Sequence, residues 1–193
     1  MNAAGVSIWT VGHSNKTMEA FLPLLTGHGI QFLVDVRRFP SSRRYPHFGK
    51  EALERSLEEH QIGYMHFPEL GGKRLPRPDS PNSAWQNQQF RGYADYMESS
   101  EFQRAIEHLV NFAKRERTAI MCAEALWWQC HRGLVADYLK ANGATVLHIL
   151  SATKTEAHPY TKPARIIDGK LSYAPAEQPL DPQLALIDAK DGR

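Results

Sequence analysis

The sequence has little cysteine, no long hydrophobic run and almost no imbalance of charge. Its 193 residues include two cysteines, too few for a disulfide framework. No apolar run approaches the length that spans a bilayer. Because 23 Lys and Arg residues are balanced by 21 Asp and Glu residues, total charge does not indicate an obligate nucleic-acid coat protein. A disulfide scaffold is therefore excluded, and we expect no membrane association.

Targeting signals and nucleotide fingerprints are absent as well. The N-terminal stretch MNAAGVSIWTVGHS has no basic flank before its short apolar segment, so we expect no export signal. A cytoplasmic location follows, where the two cysteines remain reduced. Neither a G-x-G-x-x-G pattern nor a P-loop occurs, which removes support for a Rossmann dehydrogenase or an NTPase. The sequence does not identify a cofactor, and it leaves the oligomeric state open.

What the sequence does contain is an alternation of short apolar runs and amphipathic segments. Five runs have the composition of buried strands: 7–11, 32–36, 64–67, 118–122 and 145–150. Segments with helical spacing lie between them: 18–25 after the N-cap Thr17, 50–60, 90–97, a helix that starts at Ser100 with Gln103 in capping-box position, and 134–139. This order predicts a single α/β domain with a mostly parallel, about five-stranded sheet and helices on both faces.

The C-terminal part of the chain has a weaker pattern. Asp168-Gly169, between short apolar runs, predicts a two-residue β-hairpin. From Ala174 onward the sequence is rich in proline and polar residues. We therefore place the α/β domain in residues 1–173 and expect a mobile or loosely docked tail in residues 174–193.

Polar and reactive side chains follow four of the predicted strands. The four exits read Gly12-His13-Ser14-Asn15, Asp35-Val36-Arg37-Arg38, Glu69-Leu70-Gly71-Gly72-Lys73-Arg74 and Cys122-Ala123-Glu124. Ligands of open parallel sheets bind at the carboxyl ends of the strands. A single polar exit is often only the return of the chain to solvent. Four of them in one sheet favour a binding crevice.

The most specific motif is C-A-E-A-L-W-W-Q-C-H-R, residues 122–132, between a strand and a helix. In this place Cys122 and Cys130 are candidates for a nucleophile or redox centre, and Glu124 and His131 for proton transfer. Arg132 and the helix start are suited to holding an anion. Two plainer interpretations stay open: free cysteine is often a small core residue, and Glu124 is equally a candidate partner of an arginine.

A zinc site is a further alternative for the same motif. Cys122, Cys130 and His131, with His13 or His66, supply four candidate ligands. The C-x7-C-H spacing is not that of a familiar finger or ribbon, and neighbouring residues rarely point at one metal. We therefore assign no metal site from the sequence.

The second motif is R-R-F-P-S-S-R-R-Y-P-H-F-G-K, residues 37–50. Four arginines interleaved with aromatic rings suit phosphates and stacked bases, although charge runs are commonly solvated loops. Arg37 follows Asp35 at a strand end, and we expect it to face a ligand. The long segment 69–89 has no periodicity and is a candidate lid, while Tyr93 either reaches the crevice or packs beside it.

Taken together, these motifs resemble a known family. G-H-S-N, V-D-V-R-R-F-P-x-S-R-R-x-P-H-F, L-G-G, F-x-G-Y-A-D-Y-M and M-C-A-E-x-x-W-W-x-C-H-R are similar to the bacterial domain-of-unknown-function family 488, over about residues 7–173. The resemblance implies an α/β domain in a bacterial cytosol and no established activity. Matched to these motifs, the candidate site residues are His13, Asp35, Arg37, Arg38, Glu69, Tyr93, Cys122, Glu124, Cys130, His131 and Arg132.

The sequence thus predicts a cytosolic enzyme that acts on an anionic, phosphate-bearing, nucleotide-like substrate. Cys122, Glu124, Cys130 and His131 are the expected catalytic residues. The expected substrate-binding residues are His13, Asp35, Arg37, Arg38, Glu69, Tyr93 and Arg132. The alternatives are a nucleic-acid-binding module without catalysis and a metal or thiol sensor.

Overall fold

Strands and helices alternate along most of the chain. A computed structural model describes residues 2–41 and 43–176. The strands are β1 (Ser7–Gly12), β2 (Phe32–Asp35), β3 (Gly63–His66), β4 (Thr118–Cys122), β5 (Thr145–Ile149), β6 (Thr155–Ala157), β7 (Arg165–Ile167) and β8 (Lys170–Ser172). The α-helices are α1 (Met18–Thr26), α2 (Lys50–Glu58), α3 (Gln88–Tyr96), α4 (Ser100–Ala113) and α5 (Arg132–Ala141).

The main sheet has six strands in the order β3-β2-β4-β1-β5-β6. The first five are parallel, which confirms the predicted α/β class, and β6 pairs with β5 in antiparallel orientation. The chain builds outward from β1 through β2 to β3, then returns to insert β4 between β2 and β1. The carboxyl ends of β2, β4 and β1 are therefore neighbours, whereas β3 is at the edge.

Helices cover both faces of the sheet, as expected from the sequence. Apolar residues of α1 and α2 form one buried cluster with Leu33, Ala119 and Met121. Residues of α3, α4 and α5 form the other with Val34 and Ile120. Because successive side chains of a strand point to opposite faces, Cys122 shares the α5 side with Ile120. This alternation turns its sulfur toward the start of α5.

Local signals explain most element boundaries. The Thr17 hydroxyl accepts a hydrogen bond from the Ala20 N–H, the N-cap expected for α1. The start of α4 at Ser100 is confirmed, but the expected cap is wrong by one residue, because Ser99 rather than Ser100 is the N-cap and accepts from the Phe102 N–H. Asp168 and Gly169 have φ values of 49° and 74°, and the hairpin that they connect is confirmed as a separate two-stranded sheet.

Two further expectations concern the ends of the chain and the membrane. Residues 177–193 of the expected tail lie outside the described residues, while Arg165 Nη1 donates to the Pro175 carbonyl near its start. Among the described residues, no helix has both the length and the apolar character needed to cross a bilayer.

Candidate functional site

Six of the candidate residues, at the ends of β2 and β4 and the start of α5, line one cavity of about 400 Å³, here called the thiol cavity. Its walls are Arg37, Arg38, Phe39, Ser41, Gly72, Lys73, Gln89, Phe90, Cys122, Ala123, Glu124, Gln129, Cys130 and His131. A second cavity of about 520 Å³, the outer cavity, lies beside it and adds His13 and Arg44. Arg37, Phe39, Ser41, Ala123 and Glu124 line both cavities. The two cavities therefore meet along the exit of β4.

At the floor of the thiol cavity, His131 faces both sulfurs. Its Nδ1 lies 3.9 Å from the Cys122 Sγ and 3.6 Å from the Cys130 Sγ. Its Nε2 lies 3.1 Å from the Val36 carbonyl oxygen, which can only accept a hydrogen bond. Nε2 therefore carries the proton of the neutral ring, and the Nδ1 lone pair is directed at the thiols. This arrangement makes His131 a base for a thiol proton.

The two cysteines differ in their affinity for that proton. A hydrogen bond from Cys130, reinforced by the charges of His131 and Arg132, lowers the pKa of Cys122 well below its usual value. Burial, followed by the hydrogen bond to Cys122, raises the pKa of Cys130 well above its usual value. Cys130 therefore keeps the proton and donates it to the Cys122 sulfur, which is the more nucleophilic of the two.

Arg132 lies behind the sulfurs as a buried cation, with 1% of its surface exposed. Its Nη2 donates to the carbonyl oxygens of Glu124 and Ala125, at 2.8 and 2.7 Å. No carboxylate of the described residues forms an ion pair with it, and its Nε has no hydrogen-bond partner there. Buried charges are normally paired, so the Cys122 thiolate is a candidate counterion of Arg132.

Glycines allow the chain to approach these groups closely. A Cβ at Gly12 would lie 1.9 Å from the Glu124 carbonyl oxygen, and one at Gly72 would lie 2.8 Å from Nδ1 of His131. Tyr93 packs against the His131 ring with centroids 5.1 Å apart, and its hydroxyl donates to the Leu70 carbonyl. The L-G-G motif thus fits around the imidazole and holds its position.

Asp35 and Arg37 form a buried ion pair beside the thiol cavity. Arg37 Nε donates to both Asp35 oxygens at 2.9 and 3.1 Å, and its Nη2 also donates to the Phe48 carbonyl. Its Nη1 lies 3.3 Å from Nε2 of His13, whose Nδ1 donates to the Ser14 carbonyl. Burial, with the charge of Arg37, lowers the pKa of His13 to about 4, so the ring is a neutral acceptor.

Most donors of Arg37 are therefore engaged within the protein. Four of its five N–H groups have partners among the described residues, which leaves one Nη1–H. We expected Arg37 to face a ligand, and only this one N–H group is available to bind one. Asp35 is completely buried and faces Arg37 and Tyr64, so its observed role is to hold this arginine.

The mouth of the thiol cavity has a positive charge. Arg38 and Lys73 are both exposed, and Nη1 of Arg38 donates to the Lys73 carbonyl at 3.0 Å. Both cations lie over the Phe39 ring, which is 63% exposed, at 5.8 and 5.7 Å from its centroid. The Glu124 carboxylate is the acidic group of this lining. An exposed ring close to two cations suits an aromatic anion.

The structure does not bring every candidate to this place. Glu69 lines a different groove with His66 and His108, because β3 is the edge strand and its exit is separated from β4 by β2. Tyr93 is completely buried, and Arg132 contacts the loop 124–125 rather than the cavity. These three residues support or flank the site, and none of them lines the thiol cavity.

Cys130 and His131 are adjacent in the chain, yet both side chains point toward the sulfur of Cys122. The sulfurs of Cys122 and Cys130 and a ring nitrogen of His131 all lie within 4.8 Å of one another. Cys130 is extended at φ −132° and ψ 146°, whereas His131 is helical at φ −56° and ψ −20°. This abrupt change of backbone conformation turns both side chains to the same side. His13 and His66 are not in this group.

A second buried network anchors the loop 123–131 and gave no signal in the sequence. Trp127 stacks on His148, with ring centroids 4.4 Å apart and planes 5° apart. Nε2 of His148 lies 2.8 Å from Nδ1 of His158, whose Nε2 lies 2.9 Å from the Asp137 carboxylate. Burial and the nearby His158 lower the pKa of His148 to about 3. Only the fold brings these distant residues together.

Comparison with known proteins gives one match. A family model described as "Domain of unknown function DUF488" matches residues 17–139, more than half of the chain. The match begins after the G-H-S-N motif and ends within α5, so it is shorter than the span of about residues 7–173 expected from the resemblance. No curated protein and no solved structure matches the chain significantly.

Proposed function

The chain belongs to the DUF488 family, and we propose that it is an enzyme in which the Cys122 sulfur attacks an anionic, phosphate-bearing substrate. The observation that carries this proposal is the position of Cys122. Its Sγ lies 3.9 Å from Nδ1 of His131, at the floor of a cavity with Arg38 and Lys73 at its mouth. A nucleophile, a base and an anion-attracting entrance thus occupy one place.

Each group around the sulfur has a separate role in the proposal. His131 accepts the Cys122 proton at Nδ1, while the Val36 carbonyl fixes the tautomer. Cys130 donates a hydrogen bond to the resulting thiolate. Arg132 is a positioning residue: it fixes the loop through two carbonyls and supplies a buried positive charge, rather than touching the substrate.

The substrate class follows from the lining of the two cavities. Arg38, Lys73 and Arg44 are exposed cations, and Arg37 has one donor left for a ligand oxygen. Phe39, close to Arg38 and Lys73, offers an exposed ring on which a base or another aromatic group stacks. The thiol cavity, at about 400 Å³, is within the range of small-molecule sites. These features favour a nucleotide-like anion over a large polymer.

The reaction proposed is a displacement at an electrophilic atom of the substrate. The Cys122 thiolate forms a bond to that atom, the bond to the leaving group breaks, and the leaving group takes a proton from the His131 imidazolium. Water then adds to the same atom and releases the thiolate, while its proton returns to the base. Because the thiolate must stay reduced, we propose that the protein acts in a reducing compartment, the cytoplasm.

Protection of Cys122 from alkylation tests the proposal. Iodoacetamide labelling of metal-free, reduced protein is followed by peptide mass spectrometry with AMP, ribose 5-phosphate, inorganic phosphate or uncharged adenosine present. We expect AMP to slow labelling most and adenosine to have little effect. Arg38→Gln should weaken the protection by AMP, whereas the control Arg115→Gln, an exposed arginine near the amino end of β4, should leave it unchanged. Equal labelling with and without every phosphate compound would refute the substrate class.

A nucleic-acid-binding module is the second candidate, supported by exposed Arg43 and Arg44 in the loop before α2. It predicts an affinity for short oligonucleotides that falls steeply with salt and survives Cys122→Ser. An affinity that is independent of salt would remove it.

A further inference from the structure

The three groups at the floor of the thiol cavity also have the geometry of a metal site. In tetrahedral zinc sites the Zn–S distance is about 2.3 Å and the Zn–N distance about 2.0–2.1 Å, so a sulfur and a nitrogen ligand are separated by about 3.6 Å. The Cys130 Sγ lies 3.6 Å and the Cys122 Sγ 3.9 Å from Nδ1 of His131. These separations match two edges of a tetrahedron to within a few tenths of an ångström.

We propose that Cys122 Sγ, Cys130 Sγ and His131 Nδ1 bind one soft divalent cation, Zn²⁺ by donor preference, with a fourth position open to the thiol cavity. Two thiolates and an imidazole are ligands that zinc takes in proteins. This site does not depend on the proposed activity. When zinc is bound, it occupies the Cys122 sulfur and prevents its attack on a substrate.

The surroundings of the three ligands support metal binding. Nε2 of His131 donates to the Val36 carbonyl, the kind of outer contact that fixes the tautomer and orientation of metal-bound histidines. The Arg132 backbone N–H, at the start of α5, lies 3.5 Å from the Cys130 sulfur and donates to it. That donor stabilises a thiolate at Cys130, the form of cysteine that binds a metal.

Charge identifies the fourth ligand. Two thiolates neutralise a divalent cation, and the buried Arg132 guanidinium then leaves one positive charge without a partner. The open position therefore favours an anion, such as hydroxide or a substrate oxygen, over neutral water. The positive mouth formed by Arg38 and Lys73 directs the same class of ligand toward it.

Cobalt is the probe for the test, because tetrahedral Co²⁺–thiolate sites have intense visible bands and near-ultraviolet charge-transfer absorption. We expect reduced, full-length protein to bind one Co²⁺ with this spectrum and Zn²⁺ to displace it. Cys122→Ser, Cys130→Ser and His131→Asn should each weaken binding by more than the ~10–100-fold that loss of an outer-shell contact costs. The control His66→Asn should keep the spectrum, since His66 lies outside the three-ligand group.

A second measurement needs no variant. Counting reactive thiols in native protein with and without Zn²⁺ should show that zinc protects both cysteines. Weak, octahedral-type cobalt absorption would overturn the metal site. Thiols that react in the metal-free protein and react equally fast in the presence of zinc would overturn it as well. If the metal site is overturned, a reactive Cys122 still leaves the proposed function standing. Conversely, zinc binding to a protein whose metal-free thiols are inert would refute the proposed function and leave the metal site standing.

Discussion

Replacing Gly12 by alanine tests how the loop after β4 is held over the sulfurs. The added Cβ would lie 1.9 Å from the Glu124 carbonyl oxygen and 2.8 Å from Nη2 of Arg132. Carbon and oxygen atoms do not approach closer than about 3 Å without strain, so the loop must move by on the order of 1 Å. The φ of Gly12 is not in the left-handed region, so alanine causes no backbone strain there. The expected destabilisation therefore comes from the clash alone.

The magnitude follows from what the shift disrupts. Arg132 donates to the Glu124 and Ala125 carbonyls, and hydrogen bonds to charged groups contribute roughly 1.5–3 kcal/mol each. Overpacking adds about 1–3 kcal/mol. Because these effects overlap, we expect Gly12→Ala to lower the free energy of unfolding by about 4 kcal/mol. The loop that places Cys122 is then loosened as well.

Urea unfolding and iodoacetamide labelling of Cys122 measure the two consequences. The control is Gly133→Ala, where the nearest contact of the added Cβ is 3.0 Å and alanine favours the helix; its stability should change by no more than about 1 kcal/mol. If the free energy of unfolding of Gly12→Ala lies within about 1 kcal/mol of that of the parent protein, and Cys122 is labelled at the same rate, Arg132 does not hold the loop as described.

Three further predictions concern the groups around the site. His13 and His148 have pKa values of about 4 and about 3, against 6.5 in the unfolded chain, so the unfolded state binds protons first as pH falls below 6.5. The free energy of unfolding should therefore decrease from pH 7 to pH 5 by roughly 2 kcal/mol per histidine, and a flat profile in urea titrations would contradict the burial of neutral rings. Asp35→Asn leaves the Arg37 charge buried without its partner, which should destabilise the protein by about 3–5 kcal/mol in the same assay; a change below about 1 kcal/mol would count against a buried pair. Gly72→Ala places a Cβ 2.8 Å from Nδ1 of His131 and should slow Cys122 labelling several-fold with little change in stability, and an unchanged rate would show that His131 does not activate the thiol.

The sequence predicted the sheet well because its central strands, β1, β2 and β4, are buried on both faces. The run 118–122, for example, is buried at every position and lies between polar segments, so its composition alone identifies β4. β6 was missed, since Thr155–Ala157 has three residues and is largely exposed at the sheet edge. Strand order is not encoded locally, and for that reason the separation of Glu69 from the site could not be predicted.

The candidate site was predictable in its composition but not in its geometry. The strand-to-helix motif brought Cys122, Cys130 and His131 together, as its position at a strand exit suggested. That Arg132 is buried depends on packing around Gly12, which is over a hundred residues away in the chain. Likewise, the His148–His158–Asp137 network joins strands, helix and C-terminal segment that carry no shared pattern.

The most direct test of a nucleophile in a positive cavity compares two alkylating agents that differ in charge. Iodoacetate is an anion and iodoacetamide is neutral, and both react with the Cys122 thiolate by the same displacement. Metal-free protein should react with iodoacetamide faster than a small-molecule thiol does at pH 7, and its preference for iodoacetate should exceed that of the small thiol. Replacing Arg38 and Lys73 by glutamine should remove that preference and leave the iodoacetamide rate nearly unchanged. A Cys122 that reacts no faster than the small thiol, or that disfavours iodoacetate, would contradict the account.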